Sequence, residues 1–143
     1  MIPKKIHYCW FGHNPKPASV EKCIASWRKF CPDYDIIEHH EGNYDVAKNT
    51  YMKQAYDHGK WAFVTDYARL DILYEHGGIY LDTDVELLKS LDGLLDCSGF
   101  MGFEDLEKVA TGLGMGSEKH HPVLAMLMED YRDAVFVKAA GPF

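Results

Sequence analysis

The sequence predicts an α/β fold with a largely parallel sheet flanked by helices. Three observations carry that expectation. Short apolar or β-branched runs alternate with stretches of helical periodicity, the order from which parallel sheets are built. Gly77-Gly78 halts the most apolar helical stretch and leads straight into Ile79-Tyr80-Leu81. At 143 residues the chain has the length of one domain, expected to span 1–143. Such a domain buries roughly 68–70% of its unfolded surface and needs no disulfide or metal staple to fold.

Each element has a local reason. Lys5 to Phe11 alternates apolar and mixed residues and ends at Gly12, predicting a first strand. A loop, His13-Asn14-Pro15-Lys16-Pro17, follows it. From Ala18 to Phe30 the residues Val20, Ile24, Trp27 and Cys31 fall at i, i+4, i+7 and i+11, with Ser19 as N-cap and Pro32 as stop. Tyr34 to Glu38, with Ile36 and Ile37, predicts a second strand. Asn43 to His58 predicts a polar helix ending at Gly59. Lys60 to His76 is the most apolar helix, with Phe63, Tyr67, Leu70 and Tyr74 on one stripe. The strand at 79–81 follows, then a strand at Gly99 to Phe103 and the glycine-rich Gly112-Leu113-Gly114-Met115-Gly116. Pro122 to Tyr131 closes as an amphipathic helix, and no internal repeat is visible.

Hydrophobic residues make up 47% and charged residues 26%, which suits a globular protein rather than a disordered one. Asp and Glu number 22 against 15 Lys and Arg, a formal charge of −7. That balance argues against a nucleic-acid partner. It also means that an anionic substrate would need local help from a cation or from particular Arg and Lys residues. Four cysteines (Cys9, Cys23, Cys31, Cys97) show no CxxC spacing, the N-terminus has no signal-peptide pattern, and no apolar run reaches the length of a membrane span. Reduced thiols and a cytoplasmic location are the expectation. Peripheral membrane association and oligomeric state stay open.

Chemistry concentrates in Asp82-Thr83-Asp84. If the strand continues through them, both carboxylates share one face. Two carboxylates that close either share a proton or hold a cation between them. Their oxygens suit Mg²⁺, Mn²⁺ or Ca²⁺, and Mg²⁺ is commonly held by one or two carboxylates plus substrate phosphates. Asp66 and Arg69, at i and i+3, are neighbours on the apolar helix. They read either as a structural ion pair or as a carboxylate for sugar hydroxyls beside a guanidinium for phosphate. Tyr8 and Trp10 end the first strand, where an aromatic ring either stacks on a nucleobase or packs in the core. His120 and His121 are expected on the surface, and His7 as a satisfied core histidine. His39, His40 and Glu41 read as a loop end, and Met115, Met126 and Met128 as core packing.

Three stretches carry a family resemblance: Ile2 to Gly12 (IPKKIHYCWFG), Thr65 to Asp84 (TDYARLDILYEHGGIYLDTD) and the glycine-rich Gly112 to Gly116. Together they resemble the sugar transferases with a DXD-containing sugar-binding region, glycosyltransferase family 32, related to the large clostridial glucosylating toxins. The resemblance covers nearly the whole chain. It implies a GT-A fold that binds a UDP-sugar, or less often a GDP-sugar, with Mn²⁺ or Mg²⁺. It also implies transfer to a saccharide acceptor with retention of anomeric configuration, as in capsular polysaccharide synthesis. By resemblance, Trp10 is the base-stacking aromatic, Asp66 and Arg69 hold the donor sugar, and Tyr80 lies beside the nucleotide. Asp82 touches ribose and metal, and Asp84 ligates the metal directly. Family members continue with a His- and Trp-containing segment that closes the site. The chain is therefore expected to lack part of the metal shell and of the acceptor site.

Two other classes compete. A haloacid-dehalogenase-type phosphatase also ends a strand in DxD, but it wants Thr or Val where this chain has Glu86, and its aspartates follow a first strand. A non-catalytic module that holds a nucleotide-sugar without turnover is the second, separated from an enzyme by an assay of transfer and donor hydrolysis.

Overall fold

Lys5–Cys9 forms the central strand β1, whose two faces bury different side chains in the computed structural model, which describes residues 1–101 and 114–136. Ile6 and Tyr8 point into one core, while Cys9 and Phe11 point into another. The first core lies under α1 (Ala18–Phe30), whose buried Val20, Ile24 and Trp27 fall at the expected helical spacing. Pro17, not Ser19, occupies the N-cap, and no side chain caps that end. Cys31 closes the helix through its amide on the Trp27 carbonyl (2.9 Å).

The second core lies under α2 (Thr50–Asp57), α3 (Trp61–His76) and α4 (Pro122–Glu129). The polar helix expected at Asn43–His58 is shorter because two side chains restart the backbone. Asp45 accepts from the Ala47 amide and opens a 3₁₀ turn at Val46–Lys48; Asn49 accepts from the Met52 amide and opens α2. On α3 the buried residues are Val64, Ala68, Leu70, Asp71, Ile72 and Leu73, so that of the expected stripe Leu70 is buried. Phe63, Tyr67 and Tyr74 are only half-buried in this second cluster. Gly77, at φ 66°, ends α3 with its amide on the Leu73 carbonyl, a left-handed cap that favours glycine.

Five strands form one sheet in the order β2-β1-β3-β5-β4, with β2 at Asp35–His39, β3 at Gly78–Tyr80, β4 at Gly99–Met101 and β5 at Met115–Ser117. β1 pairs in parallel with β2 and β3, as the βα alternation predicts. The pairings β3–β5 and β5–β4 are antiparallel, so the sheet is mixed rather than largely parallel. Strands of three residues carry too little pattern to declare their direction. The expected strand at 99–103 is described only as far as Met101, and Gly112 and Leu113 of the glycine-rich segment lie outside the described residues.

Behind the sheet, His7 is a satisfied core histidine, 1% exposed. The Gly77 carbonyl can only accept, so His7 Nε2 carries a hydrogen (2.9 Å) and its Nδ1 accepts from His39 Nε2 (3.0 Å). Burial lowers both rings from 6.5 to about 4, which favours their neutral forms. Of the methionines expected in the core, Met115 is buried and Met126 is 64% exposed. His121, expected on the surface, is partly exposed and also caps α4 by accepting from the Val123 amide. No described helix is long and apolar enough to cross a membrane, and all four cysteines are free thiols.

Candidate active site

At the C-terminal ends of β1 and β3, the parallel pairing of the two strands brings two distant segments of sequence side by side. A cavity of about 440 Å³ opens there, with Trp10, Trp61, Thr65, Tyr80, Asp82 and Asp84 on its walls. Its position follows the general rule for α/β sheets, that ligands bind beyond the carboxyl ends of parallel strands.

β3 ends at Tyr80, and the chain then turns through Asp82-Thr83-Asp84, with the Val85 amide on the Asp82 carbonyl (3.1 Å). This corrects the expectation that both carboxylates share a strand face. The turn brings them to one cavity instead, with Asp82 half-buried and Asp84 exposed. Trp27 Nε1 donates to the Val85 carbonyl (2.8 Å) and so holds the far side of the turn against α1. Burial pushes the Asp82 carboxyl up to about 6; Arg69 opposes that rise, while Asp84 and Asp66 add to it.

Asp66 and Arg69 form an ion pair one turn apart on α3. Neither lines the cavity, but both act on Asp82 through their charges. The Arg69 side chain is 11% exposed and that of Asp66 29%. Burial raises the Asp66 carboxyl above its ordinary range despite the opposing guanidinium. Tyr80 is fully buried beneath the cavity beside Cys9, whose thiol burial pushes up to about 12. Trp10 stands half-exposed on the wall, its Nε1 donating to the Asn14 carbonyl (2.7 Å) and Lys16 above its ring.

Of the expected site residues, Asp66 and Arg69 stand outside the cavity lining, and Tyr8 lies in a different core altogether. Its ring packs edge-on to Trp27 and its hydroxyl donates to Glu38 (2.8 Å), so it belongs to the core under α1. In exchange, the cavity includes Cys9, Trp61 and Thr65, which sequence reasoning missed. The signal for two of them is the spacing of Trp61, Thr65 and Arg69 at i, i+4 and i+8 along one face of α3.

Among the described residues, no three acid, imidazole or thiol groups converge on a metal position. The residues do fit a hard cation that takes its remaining oxygens from water and from a bound diphosphate. Two carboxylates stand at one cavity, and one of them is held near 6 beside two other acids, so a cation there relieves their repulsion.

Known proteins resemble the chain in sequence and in fold. A family model described as the glycosyltransferase sugar-binding region containing a DXD motif matches residues 17–101. An uncharacterised glycosyltransferase of Acanthamoeba polyphaga mimivirus is 30% identical over 141 residues, covering 91% of this chain and 55% of that protein. Inositol phosphoceramide mannosyltransferase 3 of Schizosaccharomyces pombe is 29% identical over 137 residues, covering 90% of this chain and 37% of that one. The chain thus spans about half or less of the length of these relatives. Among solved structures, the PaToxG glycosyltransferase superposes with a TM-score of 0.73 at 21% identity, covering 90% of this chain and 58% of that one, a likeness of fold.

Proposed function

The chain belongs to the glycosyltransferases with a DXD-containing sugar-binding region, and from that premise we propose that it transfers a sugar from a nucleotide-sugar, UDP-linked in preference to GDP-linked, to a saccharide acceptor. One observation carries the proposal. Asp82 and Asp84 share a single cavity with the half-exposed ring of Trp10. That is the arrangement a base, a diphosphate and a divalent cation require together.

In this reading each residue has a task. Trp10 offers its ring to the base, and buried Tyr80 gives the nucleotide a rigid floor. Asp66 stands outside the cavity lining and acts on the site through its pair with Arg69 and its charge on Asp82. Arg69 counters the negative charge that gathers near Asp82 as the diphosphate departs. Asp82 and Asp84 would hold Mn²⁺ or Mg²⁺, which when bound would neutralise charge on the leaving diphosphate. No further carboxylate lines the described cavity, which favours a same-face transfer with retention, the departing phosphate oxygen taking the acceptor proton. A role in surface polysaccharide synthesis and a single domain over 1–143 complete the proposal.

Transfer and donor hydrolysis assayed with UDP- and GDP-sugars, with Mn²⁺ and with chelator, test it. The account expects turnover that requires metal and is lost in Asp82→Asn and Asp84→Asn. Turnover unaffected by both substitutions would remove the metal from the mechanism, and inversion at the anomeric carbon would remove the same-face route. Metal-dependent donor binding without any turnover would assign a nucleotide-sugar-binding module instead.

A further inference from the structure

The loop from Trp10 to Pro17 supplies one wall of the cavity through Trp10, Asn14, Pro15 and Pro17. Its backbone is unusual. Gly12 sits at φ 96° and His13, which is not glycine, at φ 61°, two successive residues in the left-handed region. A Cβ on Gly12 would come within 2.7 Å of the Trp61 ring, so the loop is pressed directly against the opposite wall. Something must hold it there, and the Trp10–Asn14 bond lies within the loop itself.

Its two ends are tied to β2 itself, by the Trp10 amide on the His39 carbonyl (2.9 Å) and by Lys16 on Glu38 (2.5 Å), while the group that holds its middle comes from beyond β2. The turn after β2 is braced by Asn43, whose side chain accepts from the His40 amide (2.8 Å) and donates to the Glu38 carbonyl (2.8 Å). From that turn Glu41 directs one carboxylate oxygen at three groups. It accepts from the Gly12 amide (2.6 Å) and from the Tyr56 hydroxyl (3.0 Å), and His13 Nε2 lies 3.7 Å away. The side chain is only 17% exposed. Burial alone would raise its carboxyl, but the bonds from Gly12 and Tyr56 outweigh that and hold it below the usual carboxylate range. Tyr56 in turn packs its ring against Trp61 at 5.3 Å.

We propose that Glu41 is a positioning residue for nucleotide recognition: its carboxylate pins the Gly12 amide and, through Tyr56, ties the Trp10–Pro17 wall to the Trp61 wall, fixing the width of the slot that takes the base. The proposal rests on the donor-site reading above. Glu41 does not line the cavity and touches no reacting atom. It acts through Gly12, whose bond to an ionised acceptor is of the stronger kind.

The test uses the 143-residue chain, with UDP and Mn²⁺ titrated by tryptophan fluorescence and amide hydrogen exchange followed over residues 10–16. In Glu41→Ala, the UDP Kd should rise about tenfold or more and exchange at Gly12 should accelerate, because a charge-assisted bond is lost. Glu41→Gln keeps an acceptor for Gly12 and should stay within about threefold of wild type, whereas Tyr56→Phe removes the tie toward Trp61 and should fall between the glutamine and alanine variants. Should the alanine variant fail to fold, rescue by Glu41→Gln at wild-type loop exchange still supports the assignment, and a Glu41→Gln that folds but loses UDP binding overturns it. Wild-type affinity and unchanged exchange in Glu41→Ala also overturn it. A wild-type chain that binds no UDP would remove the donor-site reading itself, and the positioning role with it, whereas the other failures leave that reading standing.

Discussion

Replacing Arg69 by methionine separates charge from packing at the heart of the site. The substitution keeps much of the apolar stem and removes the one guanidinium that offsets Asp66 and Asp82. Breaking a buried pair by removing one partner typically costs about 3–5 kcal/mol. Asp66 remains 29% exposed, so water can recover part of that loss. The expected cost at pH 8 is therefore about 2–3 kcal/mol, or roughly 7–10 °C for a chain of this length. The sign with pH follows from the carboxyls. Asp82 and Asp66 already titrate above their unfolded values, and losing the guanidinium raises both further. Their neutral forms are favoured in the folded state, so stability is intact below the unfolded carboxyl value and falls as pH rises through the folded one. At pH 4.5 the Arg69→Met penalty should accordingly shrink to about 1 kcal/mol or less. Urea denaturation at both pH values measures it. Adding Asp66→Asn to Arg69→Met should restore most of the stability without restoring donor binding. A penalty equal at pH 4.5 and pH 8 would refute the electrostatic account and leave only stem packing.

Three other outcomes follow from the same structure. Burial lowers His7 and His39 from 6.5 to about 4, so the fold favours their neutral rings; that stability is complete above 6.5 and lost as pH falls through about 4. The loss is on the order of 3 kcal/mol per ring, not additive across their shared bond, and urea midpoints at pH 7.5, 5.5 and 4 would reveal it. Trp27→Phe strips the Val85 carbonyl of its donor and leaves a void under the Asp82–Asp84 turn, costing about 2–3 kcal/mol by urea denaturation. Trp10→Ala should weaken UDP binding by about 1–3 kcal/mol, read by calorimetric titration, and should also lower Tm because the ring packs against the core under α1.

Much of this site was legible because it is local. Gly77-Gly78, the apolar residues after it and the acid pair lie in eight consecutive residues, and helix stop, strand and acids each leave their own mark there. The ion pair of Asp66 and Arg69 is also local, one helical turn. What stayed hidden depends on which segments meet in space. Alternation in β1 separates Tyr8 from Cys9, but only the position of α1 decides that Tyr8 meets Trp27 while Cys9 lies beneath the cavity. Glu41 lies 29 residues from Gly12, and nothing in either neighbourhood announces their bond. The antiparallel half of the sheet was hidden for the same reason, since β5 reaches β3 by pairing that three-residue strands do not encode.

The most direct measurement is thermal unfolding of the chain with UDP, UDP-sugars and GDP, each with and without Mn²⁺, in wild type and in Asp84→Asn. A ligand bound only by the folded state at a hundredfold excess over Kd adds about 2.7 kcal/mol, a rise of roughly 5–10 °C here. The account predicts a rise that needs uridine nucleotide and metal together and disappears in Asp84→Asn. No shift with any nucleotide, or an equal shift without metal and in Asp84→Asn, would contradict a donor site built on Asp82 and Asp84.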